Sequence, residues 1–149
     1  MKRKKIGLIA TPKLFNLKWW SSYGMDPCTL KLHSDLYRVF FCGRNNKNIS
    51  MIGYFDYDLK KIEVKKISKK PVLIPGELGA FDDNGVTAYC LIKNKDQIYL
   101  YYIGWKPKST TRYSLMTGLA ISKNNGGSFK RYSRSVSYTH LRAHETRRY

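Results

Sequence analysis

Three residues of this 149-residue chain recur at a nearly constant interval: Asp26, Gly43 and Gly53 reappear as Asp83, Gly104 and Gly118, at offsets of 57, 61 and 65. Their surroundings are alike. "DPCTLKLHSDLYRVFFCGR" followed by "ISMIGYFDYD" answers to "DNGVTAYCLIKNKDQIYLYYIGW" followed by "SLMTGLAISKNNGG". A drifting period near 60 with three to four strands per unit is the pattern of a β-propeller blade. One such unit cannot bury both faces, so it needs neighbours.

The strands are expected at 36–44, 51–58, 86–94, 98–105 and 115–122, short runs rich in β-branched and aromatic residues. "RNNKN", "NKDQ", "KPKSTT" and "NNGGS" separate them as turns. Each unit is expected to end on an outer strand closing in "D" or "NNGGSF". No stretch of ten residues keeps a 3.6 period, so little helix is expected.

The longest apolar runs, "VFFC" and "YLYYIGW", fall far short of the ~20 residues of a membrane-spanning helix. "MKRKKIGLIATP" has too short an apolar core for a signal peptide and reads as a first β-strand. The cytoplasm is therefore the expected compartment. Cys28, Cys42 and Cys90 form no C-x-x-C and no even set, and are expected as buried free thiols rather than metal ligands or disulfides.

The formal charge is +18, with 28 Lys and Arg against 10 Asp and Glu. Most of the positives are lysines scattered over turns, which reads as solvated surface; a patch for nucleic acid or another anion is the alternative. Against that background, Glu77, Asp82 and Asp83 fall together in "PGELGAFDDNGV".

At the C-terminus His140 and His144 stand four apart with Glu145 adjacent, a spacing that suits zinc on a helix. The eleven residues "VSYTHLRAHET", 136–146, instead resemble a translated sequencing adapter. Residues 136–149 are accordingly expected to be non-native, with the natural sequence truncated near Ser135, and carry no weight in the fold.

"SYGMDP", "YRVFFCGR", "IGYFDYDL", "PVLIPGELGAFDDNGV", "YLYYIGW" and "GLAISKNNGGSFKRYS" together resemble the glycosidase-like five-bladed β-propeller proteins. These are relatives of the arabinanase, xylosidase, invertase and levansucrase superfamily, and the chain most resembles a poorly characterised branch often found with surface-polysaccharide genes. The resemblance covers residues 5 to 134. It implies an all-β propeller fragment: an N-terminal strand, one blade at about 22–70 and another at about 80–134. It also implies a protein acting on carbohydrate or polysaccharide, with apolar blade faces open to non-specific association.

In related propellers an Asp opening the first blade is base or nucleophile, a second Asp orients it, and a Glu is the acid. By position Asp26 resembles the first and Asp83 the second. The Glu is expected on a third blade or beyond, so this fragment is expected to be inactive alone. Glycan binding without cleavage is the alternative, and a basic anion-binding protein a more distant one.

Adjacent residues of an extended chain point to opposite sides. Asp83 is therefore expected to face the axis and Asp82 to cap loop amides. Arg44 and Trp105 end corresponding strands and are expected on the substrate, Arg44 as a fork for oxyanions and Trp105 as a stacking platform. Glu77 and Tyr23 are further substrate-binding candidates, with Trp20 at the rim. Asp35, Glu63 and His33 read as turn residues. No P-loop, dinucleotide fingerprint or Ser-His-Asp order is present, and no cofactor is expected.

Overall fold

The computed structural model describes residues 5 and 7–133; the C-terminal stretch with its adapter-like segment and His140/His144 lies outside them. The chain is all-β. Strands β1 (Ser22–His33), β2 (Leu36–Arg44), β3 (Ser50–Asp58) and β4 (Glu63–Ile67) form one antiparallel sheet in chain order. Strands β5 (Val86–Asn94), β6 (Gln97–Pro107), β7 (Tyr113–Ser122) and β8 (Lys130–Arg131) form a second, also in chain order. The one helix among the described residues, α1, is the single turn Pro12–Phe15 capped by Thr11. No helix among them is long and apolar enough to cross a membrane.

The five strands expected from composition are β2, β3, β5, β6 and β7, to within two residues at each end. β1, β4 and β8 add to them. The runs expected as outer strands, closing at Asp58 and before "NNGGSF", are the third strands of their sheets, and β4 and β8 lie beyond. The described residues of the N-terminal stretch, 5 and 7–11, make no strand. They run beside the Trp20 face of sheet one, where Ala10 packs on its aromatic cluster.

Turn chemistry sets the register. Ser34 and Lys95 take positive φ (39° and 54°) in the two-residue loops of the β1–β2 and β5–β6 hairpins. The Asn45 side chain accepts from the amides of Lys47 and Ile49, and the Asp58 carboxylate from those of Lys60 and Lys61. The Lys61 amide, with its neighbours, holds the Asp58 pKa below its usual value.

Sheet one is covered on both faces. One face meets sheet two through Phe40, Ile52 and Tyr54 against Val86, Ala88, Leu100 and Tyr102. The other buries Phe41, Phe55 and Tyr57 under Trp19 and Trp20. That is why 52–57 is buried without alternation, whereas β6 alternates from Gln97 to Gly104. The far face of sheet two leaves Tyr89, Ile92 and Leu115 exposed.

A buried ion pair within sheet one also reaches the second repeat. Arg38 donates from Nε and Nη2 to the two carboxylate oxygens of Asp56 at 2.7 and 2.8 Å, and from Nη1 to the Asn125 carbonyl of the β7–β8 loop at 2.7 Å. Burial alone would lower the Arg38 pKa, but the hydrogen bond and charge of Asp56 leave it raised.

Candidate functional site

The acidic loop builds itself. The Gly76 amide donates to the Asp82 carbonyl, Ala80 N–H to Glu77 O, and Gly79 N–H to Asp83 Oδ2 at 2.9 Å. Lys106 donates to the Ala80 carbonyl at 3.1 Å and stands 3.8 Å from Asp83. The amide-capping role expected of Asp82 therefore belongs to Asp83. Asp82 is the residue turned inward, fully buried.

Its position repeats one in sheet one. Trp19 and Trp20 lie across Gly53 and Gly43; Phe81 and Asp82 lie across Gly104, with Phe81 also reaching Gly118. The glycines recur because an aromatic ring or the Asp82 methylene rests where a Cβ would stand. Phe41, opposite Gly53, packs on Trp20 with ring centres 4.5 Å apart. Tyr102, opposite Gly118, donates instead from its hydroxyl to Asp82 Oδ2 at 3.0 Å. Arg131 occupies the β8 position that Ile67 fills in β4, and its Nε donates to the same oxygen at 2.8 Å. An apolar contact in the first repeat is thus a buried polar triad in the second. Burial, then the Asp82 charge, drives the Tyr102 pKa well above its ordinary value. Asp82 and Glu77 line a hollow of about 730 Å³ under this loop, together with Lys106, Lys108 and Arg131.

Asp26 is exposed within β1, at φ 52°, where the register with β2 is interrupted by irregularities on either side of Met25. Neither Asp26 nor Asp83 lines the loop hollow or the cleft described next.

That cleft brings the two repeats together. Arg44 ends β2 and Trp105 lies near the end of β6, and both line a polar opening of about 230 Å³. Ser50 and Asn84 line it too; Ser50 pairs with Gly85 in the bridge that joins the sheets here. Asn48 holds Arg44 through Oδ1, which accepts from Nη1 at 3.0 Å. Arg112 of the β6–β7 connection and Tyr113 at the start of β7 complete the wall. Trp105 Nε1 donates to Thr87 Oγ1 at 2.8 Å, and its ring meets Tyr113 edge-on at 5.4 Å. Tyr23, exposed at φ 58°, lies beneath the Arg44 guanidinium, 4.7 Å from ring centre to Cζ.

Trp20, expected at the rim, is a core residue, 2 % exposed. Arg112, Tyr113, Tyr102 and Arg131 were not visible as site residues in the sequence. For Arg131 one signal existed: a buried aspartate demands a cation. Among the described residues no group of three or more His, Cys, Asp and Glu could hold a metal ion. The three cysteines are free thiols. Burial, then Cys90 and Asp26, pushes the Cys28 thiol up to about 12, and burial raises Cys42.

By class, then, this is an all-β chain of two repeated four-stranded sheets with a polar cleft where corresponding strand ends meet. Two proteins of Mycobacterium tuberculosis strains, "Uncharacterized protein MT1551" and "Uncharacterized protein Rv1502", are each 34% identical to it over 131 residues. The match takes in 87% of this chain and 43% of each relative, so the chain spans less than half their length. No family model matches the chain.

Proposed function

We propose that the two sheets are adjacent blades of a glycosidase-like five-bladed β-propeller, and that this part of the protein binds glycan in the cleft at Arg44 and Trp105. One observation carries the reading: these residues sit near the ends of corresponding strands in two repeats, yet line a single opening. Consecutive strand order within each sheet supports blades. A flat aromatic wall with amide and hydroxyl neighbours suits a sugar ring, whose faces are apolar and whose edge is polar. The partner in this reading is carbohydrate or polysaccharide. Three free thiols fit a reducing compartment, and the cytoplasm is the proposed setting.

Glycoside hydrolysis by the whole protein is the second reading. Asp26 favours it, because an exposed carboxylate on a positive-φ residue inside a strand is the kind of backbone strain that gathers at functional sites. Asp83, held by Gly79 and Lys106, is the weaker half of the expected pair.

Tryptophan emission tests the binding reading. Trp19 and Trp20 are buried, so a change on adding short oligosaccharides reports Trp105. In calorimetric titration, which needs no tryptophan reporter, Trp105→Ala is expected to weaken binding about tenfold or more, the scale of one lost aromatic contact. Absence of binding to any saccharide, or undiminished binding by the variant, would overturn it. Release of reducing ends, lost in Asp26→Asn, would instead establish hydrolysis.

A further inference from the structure

We infer that the cleft takes a glycan carrying an oxyanion, a carboxylate or a phosphate, and that Arg44 and Arg112 read that group; the inference rests on the glycan-binding reading. The described residues include four arginines. Two of them, Arg38 and Arg131, are neutralised by the buried Asp56 and Asp82. The other two, Arg44 and Arg112, make no salt bridge to a carboxylate among the described residues, and both line this cleft. Among the described residues, no Asp or Glu lines it.

Both guanidiniums are steadied without losing their charge. Arg44 is held by the neutral Asn48 side chain and lies over the Tyr23 ring; Arg112 stands 5.5 Å from the centre of the Tyr113 ring. Stacking on an aromatic face fixes a guanidinium plane while leaving N–H donors free for a planar or tetrahedral oxyanion. Asn84 and Ser50 add groups suited to sugar hydroxyls, and Trp105 adds a flat face. The scattered lysines give the chain its bulk charge; this opening concentrates two forked donors with no carboxylate among its described lining residues.

The test is calorimetric titration of the full chain at about 0.15 M salt, where long-range attraction is screened within about 8 Å. The probes are trigalacturonate, its fully methyl-esterified form, and a phosphate-bearing disaccharide. Short ligands keep the polyelectrolyte contribution small. The expected result is binding of trigalacturonate, of the phosphodisaccharide, or of both, with the ester at least tenfold weaker. Which anion binds decides between carboxylate and phosphate. Arg44→Gln and Arg112→Gln should each cost about tenfold, the scale of a lost charge-assisted hydrogen bond. Removing two hairpin lysines, Lys60→Gln with Lys61→Gln, should change nothing.

Equal binding of ester and acid would overturn the anion reading and leave glycan binding standing. Failure of every saccharide would overturn glycan binding itself. An equal loss in the lysine variant would assign the effect to bulk charge and overturn the site. Thermal melts accompany each variant, and if Arg44→Gln unfolds, Arg112→Gln on the exposed connection decides alone.

Discussion

Asp82 occupies in the second sheet the place that Trp20 occupies in the first. A Cβ on Gly43 would stand 2.5 Å from the Trp20 ring, and one on Gly104 would stand 2.5 Å from Asp82 Cβ. Around this shared position the first repeat packs Phe41 and Ile67, and the second sets Tyr102 and Arg131. The same backbone solution carries an apolar plug in one sheet and an ionic one in the other.

Breaking the ionic plug by halves should be costly. Arg131→Met leaves Asp82 buried without its cation, and about 3–5 kcal/mol of stability should be lost in urea unfolding. Replacing the whole triad by the first sheet's chemistry, Asp82→Leu with Tyr102→Phe and Arg131→Ile, should recover most of that. A triple variant no more stable than Arg131→Met would show that the two plugs are not interchangeable.

The glycines make a sharper comparison. A Cβ on Gly53 would lie 2.1 Å from the Trp19 ring, whereas one on Gly24 would meet Trp20 at an ordinary 3.5 Å. Gly53→Ala should cost about 1–3 kcal/mol through overpacking, and Gly24→Ala well under half of that. Equal melting points for the two variants would refute the close-packing account.

Arg38 joins sheet one to the β7–β8 loop through a fork that a lysine cannot reproduce. Arg38→Lys should therefore destabilise by about 2 kcal/mol or more although it keeps the charge. Asp56→Ala, which strands the guanidinium, should cost about 3–5 kcal/mol. Chemical denaturation of both variants measures this; a silent Arg38→Lys would show that charge alone suffices.

Alkaline pH should unfold the protein earlier than carboxylate chemistry alone would suggest. The Cys28 thiol is raised from 9.0 to about 12, so the folded state holds its proton more tightly than the unfolded state does. That stabilisation is complete below about pH 9 and is lost as pH climbs toward about 12. Tyr102, also raised, acts in the same direction. Urea midpoints followed from neutral pH upward should fall through this window, and less steeply in Cys28→Ala. A flat profile to pH 11 would contradict it.

Much of the fold was legible in the residues themselves. Alternating apolar runs and turn chemistry locate the central strands to within two residues, because side-chain period and local hydrogen bonding act over short distances. β1 escaped because Tyr23, Asp26 and Pro27 break its pattern at an irregular pairing, and β4 and β8 because short outer strands carry mostly lysine and other polar residues. The acidic loop was legible as a cluster but misassigned in detail. Alternation holds in extended backbone, whereas Asp82 and Asp83 lie in a turn folded over Gly104.

The repeat of strands, the all-β class and the corresponding positions of Arg44 and Trp105 follow from the sequence, since each is a matter of period and local pattern; the matching of Asp26 with Asp83 does not hold, because Asp26 lies within β1, beyond Met25, and Asp83 in the turn before β5. Which carboxylate is buried and which arginines are neutralised were decided by contacts between strands and loops within each repeat, and that Arg44 and Trp105 share one opening by how the second sheet packs against the first. Those contacts join residues 18 to 87 positions apart, and no local rule of spacing reaches that far along the chain to choose a hydrogen-bond partner.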